Sequence, residues 1–68
     1  MDIRRRVGLN IKRLRELQGI SQEELADRAG VHRTYVSGVE RAVRNPTITV
    51  LAKIAAGLGV QLVELVAG

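Results

Sequence analysis

Apolar residues recur along the first quarter of the chain at the spacing of one helical face. They are separated by four, four, three and three positions, at Ile3, Val7, Ile11, Leu14 and Leu17. A helix brings residues three and four apart onto one side, so this spacing predicts an amphipathic helix over about 2–18. Gly19 follows the last apolar position and is expected to end the helix.

Two shorter helices are predicted next, on either side of a tight turn. Ser21 is a preferred N-cap, and Glu24 three residues later completes the pattern of a capping box, so helix two is expected over about 21–29. Gly30 is able to adopt a positive φ and is expected to end that helix. Helix three is then expected over about 32–41.

Two further helices complete the pattern. Asn45 and Pro46 mark a turn, and Thr47 is a good N-cap for helix four. The buried stripe of helix four is expected to consist of Ile48, Leu51, Ile54, Ala55 and Leu58, with Gly59 as the expected C-cap. The last helix is expected over about 61–67 and is almost wholly apolar. No segment alternates apolar and polar residues as a strand does, so the predicted fold class is all-α with five helices in one domain, 1–68.

The segment 22–40 indicates two helices that cross steeply over a tight turn. Ala26 stands where the two helices must approach closely, and Gly30 lies in the turn four residues later. The apolar positions that face back toward helix two are Val31, Val36 and Val39. These offsets are typical of a helix-turn-helix unit, whose second helix can lie in the major groove of DNA.

Charge and composition favour some partners and disfavour others. The 68 residues carry a net charge of +4, which favours a polyanion. The chain has no cysteine and one histidine, so neither a metal site, a cofactor nor an enzymatic nucleophile is expected. No apolar run approaches the roughly 20 residues that span a bilayer, so no membrane association is expected. No feature indicates a small-molecule ligand.

The chain resembles the Xre family, which includes the phage lambda repressor and Cro proteins, from about residue 7 to 65. The stretch ISQEELA at 20–26, with the glycine four residues later, matches the first half of the family pattern. The second half is matched by ER at 40–41 and RNP at 44–46. Segment 33–41 is most similar to controller proteins of restriction-modification systems. The resemblance implies a lambda-repressor-like domain that binds double-stranded DNA sequence-specifically and regulates transcription.

The candidate base contacts are Thr34, Ser37 and Gly38 on the outward face of helix three, together with Arg33 and Tyr35 on its flanks. Ser and Thr hydroxyls can bond base edges, and Arg can bind guanine bidentately. Arg33 lies in the first turn, where the helix dipole disfavours a cation unless a base edge or phosphate is close. Gly38 costs about 1 kcal/mol relative to alanine, which the close approach of another surface would explain. Tyr35 either packs on the protein or presses on a flexible pyrimidine–purine step.

Phosphate contacts are expected around this face, at Gln22, His32, Arg41, Arg44 and Asn45. Gln22 begins helix two, and free N–H groups at helix N-termini bind anions. His32 is a poor N-cap, so either helix three starts less firmly or the ring contacts DNA. Relatives pair an arginine and a glutamate at the positions of Arg15 and Glu40, which would tie helix one to the end of helix three. Relatives usually have glycine at Ala42, so a positive φ is expected there.

A homodimer is expected, because one helix-turn-helix reads only a few base pairs while a two-fold dimer reads two half-sites. The candidate interface is the apolar last helix, at Val60, Val63, Val66 and Ala67. RNA polymerase is a further candidate partner. The expected location is the cytoplasm, with a prokaryotic or phage-encoded protein associated with the nucleoid. Alternative roles are a phage-type repressor, a toxin–antitoxin regulator, or a protein-interaction module of the same fold.

Overall fold

Five α-helices follow one another in the computed structural model, which describes residues 2–68. Their bounds are α1 (Ile3–Leu17), α2 (Gln22–Ala29), α3 (Arg33–Glu40), α4 (Ile48–Leu58) and α5 (Val63–Val66). No strand occurs over this range, so the all-α prediction is confirmed. The first four helices lie within one residue of the predicted bounds. Within residues 2–68 no helix is long and apolar enough to cross a membrane.

Polar side chains cap the starts of three helices. Asp2, Ser21 and Thr47 each accept a hydrogen bond from a backbone N–H two or three residues later, at 2.8, 3.0 and 3.2 Å. A cap of this kind stabilises a helix by about 1 kcal/mol. The predicted capping box at α2 is only half formed, because the carboxylate of Glu24 pairs with Arg28 at 3.0 Å instead of reaching back to Ser21.

The last helix is shorter than predicted. It spans Val63–Val66 instead of 61–67, and the chain is extended at Ala67. The side-chain amide of Asn10, on α1, donates to the carbonyls of Leu65 and Ala67 at 3.0 and 2.7 Å. These bonds hold α5 against α1. They also give a donor to carbonyls at the helix end, which have no partner within the helix. The end of α5 is therefore bound by a residue more than fifty positions away, a contact that the local pattern does not reveal.

The core leaves α3 covered on one side only. Twelve apolar side chains are buried, at Val7, Ile11, Leu25, Ala26, Ala29, Val36, Val39, Leu51, Ile54, Ala55, Leu58 and Leu65. Helix α2 packs on α3 and α4, while α1 packs on α3 and α5. The α1–α3 crossing is close enough that a Cβ at Gly8 would lie 2.5 Å from the carbonyl oxygen of Val39. Helix α3 is thus held from behind by α1 and α2.

The end of α3 forms a Schellman turn. The N–H of Ala42 donates to the Val39 carbonyl at 3.1 Å, and the N–H of Val43 donates to the Gly38 carbonyl at 2.9 Å. Ala42 has φ +62° and is the one non-glycine residue with positive φ between residues 2 and 68. The prediction of positive φ at this position is confirmed.

Replacing this alanine by glycine should stabilise the protein. The left-handed conformation costs an alanine roughly 1–2 kcal/mol. Glycine avoids this cost but loses more backbone entropy on folding, so the net gain is smaller. We expect Ala42→Gly to gain about 0.5–1 kcal/mol, or roughly 3–6 °C in Tm by calorimetry. The matched control is Ala56→Gly, at an exposed position within α4, which should lose about 1 kcal/mol. A fall in Tm for Ala42→Gly would contradict the expected gain.

Candidate nucleic-acid interface

Helices α2 and α3 form the helix-turn-helix that the sequence predicted. Gly30 ends α2 with φ +71°, and the N–H of Val31 then donates to the Ala26 carbonyl at 3.0 Å. Val36 and Val39 are buried on the inner side of α3. The turn therefore directs α3 across α2 and leaves its opposite side for the polar residues.

The start of α3 is polar and open to solvent. Arg33 and Thr34 are exposed, whereas Tyr35 and Ser37 are half-buried. The Arg33 guanidinium lies 3.7 Å from the carboxylate of Glu23, but both side chains are more than 60% exposed, at 63% and 70%. A pair this exposed contributes little, so Arg33 is available to a ligand. His32, the N-cap residue, makes no side-chain capping bond, as expected of a poor cap, and its ring is exposed.

Gly38 differs from its predicted place on the outward face, because the structure buries it. A Cβ at Gly38 would overlap Cγ of Arg44, whose side chain lies across α3. The guanidinium of Arg44 then stands over the ring of Tyr35, with Cζ 5.6 Å from the ring centroid, a cation–π distance. The close approach that requires a glycine here is therefore made by the protein itself. The Tyr35 ring also packs against the core and is half-buried.

Glu40, at the end of α3, is a buried acid with a side chain only 3% exposed. Arg15 of α1 binds it through two bonds, Nε to Oε2 at 2.7 Å and Nη2 to Oε1 at 3.1 Å. The third guanidinium nitrogen donates to the carbonyl of Ile20 at 2.9 Å. The hydrogen bond with Glu40 raises the pKa of Arg15 above its ordinary value, although desolvation acts in the opposite direction. The pair expected from the family thus joins α1, the α1–α2 loop and α3.

Gln22 also binds this acid, a contact that the sequence did not suggest. Its Nε2 donates to Oε1 of Glu40 at 2.9 Å, and the residue is half-buried at the first position of α2. A side-chain amide has two N–H groups, so one remains for another acceptor. The orientation of Gln22 is therefore set by the residue that also anchors α3.

The loop after α3 carries the other predicted phosphate contacts, Arg41, Arg44 and Asn45, all exposed. Neither arginine forms an ion pair with a described residue. Val43 lies between them and is 65% exposed, a feature that the local sequence pattern did not indicate. Among residues 2–68 no group of three His, Cys, Asp or Glu side chains could hold a metal ion.

The predicted dimer residues do not all lie on one open surface. Val63 is 62% exposed, Val66 and Ala67 are also exposed, and Val60 is half-buried against the core. Val66 borders an apolar crevice that also includes Ile3, Val7, Pro46, Ile48 and Leu51. The exposed apolar surface at this end of the protein therefore extends from α5 to the starts of α1 and α4.

Comparisons with known proteins agree with this geometry. The chain matches a helix-turn-helix family model over residues 11–65. It is 48% identical over 66 residues to the uncharacterized HTH-type transcriptional regulator y4dJ of Sinorhizobium fredii, covering 97% of this chain and 86% of that protein. The crystal structure of the restriction-modification controller protein C.AhdI from Aeromonas hydrophila superposes with a TM-score of 0.89 at 39% identity, covering 91% of this chain and 94% of that one. The hypothetical transcription factor NHTF from Neisseria gives 0.92 at 43% identity, covering 96% and 75%. The protein therefore belongs to the Xre-like helix-turn-helix family, in which its relatives are transcriptional regulators and controller proteins.

Proposed function

We propose that this protein is a transcriptional regulator that binds double-stranded DNA sequence-specifically, with α3 in the major groove of a palindromic or pseudo-palindromic operator. The observation that carries the proposal is the arrangement of exposed polar groups around α3. Arg33 and Thr34 are open at its start, and Arg41, Arg44 and Asn45 are open just past its end. Groups at both ends of a helix can hold the phosphates that border the groove while the first turn reads bases. The net charge of +4 favours the same partner.

The residues divide into two roles in this proposal. Arg33 and Thr34 read base edges, with smaller contributions from Tyr35 and Ser37, which are half-buried. Phosphate contacts come from Gln22, His32, Arg41, Arg44 and Asn45. Gly38 contributes by seating Arg44 and not by meeting a base. The remaining N–H of Gln22 is the group that would donate to a phosphate, since Glu40 accepts the other.

Loss of a base contact and loss of a phosphate contact should differ in a DNA-binding assay. A site is first selected from a random library with the wild-type protein, and binding is then titrated by fluorescence anisotropy at several salt concentrations. Arg33→Ala should cost about 1–3 kcal/mol and relax the preference at one base pair in each half-site. Arg44→Ala should weaken all sequences alike and lower the salt slope by about one. Arg28→Ala, which removes an exposed arginine of α2, is the control. An unchanged site preference for Arg33→Ala would contradict the base-reading role.

The relatives favour control of a restriction-modification system as the biological role, because the C.AhdI structure covers nearly the whole chain. In this role the protein acts in the cytoplasm at the nucleoid, and RNA polymerase is a partner at the regulated promoter. A reporter gene placed behind the selected operator measures whether added protein raises or lowers transcription. A gel shift with RNA polymerase on the same DNA tests for joint binding.

We further propose that the DNA-binding species is a homodimer joined through α5 and the adjacent starts of α1 and α4. Val63, Val66 and Ile48 are large apolar side chains exposed at this end, and Ile3 lies beside them. A two-fold axis would place this surface against its own copy and remove it from water. Val60 packs on the core and is not part of the proposed contact.

A charge placed in this surface should separate the two protomers. Val63→Glu sets two like charges across the two-fold axis, and we expect sedimentation to show a monomer with unchanged helix content. Operator affinity should fall by at least about tenfold, because the second half-site then binds as a separate event. Leu17→Glu, at a similarly exposed position of α1, should remain a dimer. If Val63→Glu stays dimeric and Ile48→Glu does not, the interface is centred on α4. A dimer that survives both changes contradicts this surface.

A further inference from the structure

Val43 is a large apolar side chain left open to solvent in the middle of the charged loop after α3. It is 65% exposed, and its neighbours Arg41, Arg44 and Asn45 are polar and exposed as well. A single exposed valine is ordinary in itself. The position of this one in the Schellman turn is not ordinary, because that turn normally gives such a residue an apolar partner.

The usual partner of Val43 is missing from this turn. Its N–H bonds the carbonyl of Gly38, so Val43 occupies the position whose side chain commonly packs on the side chain of residue 38. Gly38 has no side chain, and the space above it is filled by Arg44. About two thirds of Val43, 65%, therefore stays open to solvent.

We propose that Val43 makes an apolar contact with bound DNA, against either a thymine methyl group or the carbon face of a deoxyribose. The inference rests on the proposed function and adds a residue to it. The phosphate groups that Arg41, Arg44 and Asn45 would hold flank Val43 on both sides, so the loop brings it to the DNA surface. Both the thymine methyl and the sugar carbons are apolar surfaces that a valine can cover.

Little conformational entropy is lost when Val43 makes this contact. The backbone on either side of Val43 is held by the bonds of Ala42, Val43 and Arg44 to α3, at 3.1, 2.9 and 3.1 Å. A β-branched side chain has few χ1 rotamers, so ordering it against DNA costs little entropy. Val43 is therefore held in place at the end of the recognition helix before DNA binds.

The test removes the methyl groups on each partner in turn. The wild-type protein, Val43→Ala and the control Leu17→Ala are titrated against the site selected by the wild-type protein. They are then titrated against versions of that site in which one thymine at a time is replaced by deoxyuridine, which lacks only the methyl group. Val43→Ala should bind the selected site about threefold to tenfold more weakly, with an unchanged salt slope because no charge is lost. Leu17→Ala, at an exposed apolar position of α1, should bind as the wild type does.

The outcomes identify the surface or reject the inference. If one deoxyuridine in each half-site weakens the wild-type protein but not Val43→Ala, the contact is with that thymine methyl. If Val43→Ala is weaker and every deoxyuridine affects both proteins equally, the contact is with the sugar. Wild-type affinity for Val43→Ala, or a shift of this variant to a monomer in sedimentation, would overturn the inference. Selection of no preferred sequence by the wild-type protein would instead overturn the proposed function.

Discussion

Glu40→Ala should lower the free energy of unfolding by about 3–5 kcal/mol, a large share of the total for a domain of this size. The change removes the acceptor of three hydrogen bonds and leaves the Arg15 guanidinium, only 12% exposed, without its counter-charge. Breaking a buried pair by removing one member costs about 3–5 kcal/mol. A chain of 68 residues is expected to have a total stability of roughly 3–10 kcal/mol, so this is a large share of it. Urea denaturation followed by circular dichroism measures the loss.

The double variant separates the buried charge from the loss of packing. In Arg15→Met with Glu40→Leu no charge is left buried, so the loss should be clearly smaller than that of Glu40→Ala. The control is Arg28→Ala, which breaks the exposed pair with Glu24 and should change stability by about 0.5 kcal/mol or less. Stability of Glu40→Ala within about 1 kcal/mol of the wild type would show that the pair does not hold α3 in place.

Gly8→Ala should destabilise the protein even though it replaces glycine within a helix by the best helix former. In an exposed helix this exchange gains about 1 kcal/mol. At Gly8 the new Cβ would lie 2.5 Å from the Val39 carbonyl oxygen and 2.7 Å from that of Glu40, so α1 and α3 must separate. Overpacking against backbone atoms that cannot rotate away costs about 2–3 kcal/mol. Thermal unfolding should show a correspondingly lower Tm.

Gly57→Ala is the matched comparison, because it also adds a Cβ at a helix crossing but with a milder overlap. Its Cβ would meet the backbone nitrogen of Ala29 and Cδ1 of Leu25, each at 3.2 Å, so a shift of a few tenths of an ångström suffices. We expect its stability to stay within about 1 kcal/mol of the wild type. If Gly8→Ala is as stable as the wild type, the α1–α3 crossing is more adaptable than its geometry indicates.

The sequence by itself determined the features that depend on neighbouring residues. The bounds of the first four helices, the caps at Ser21 and Thr47 and the helix-ending glycines follow from contacts within one or two turns of the chain. The positive φ of Ala42 was also predicted, from the resemblance to a family whose members usually have glycine at this position. The exposed polar start of α3, at Arg33 and Thr34, followed from helical periodicity in the same way.

Only the tertiary structure decided which residues far apart in the sequence contact one another. Helical periodicity placed Gly38 on the surface, but Arg44 from the next loop covers it. The sequence pattern of α3 alone does not predict that contact. The bond of Gln22 to Glu40 joins residues 18 positions apart, and Asn10 reaches across 55 and 57 positions to hold α5. These contacts depend on how the helices cross, and the crossings arise from the packing of the whole core and not from any one segment.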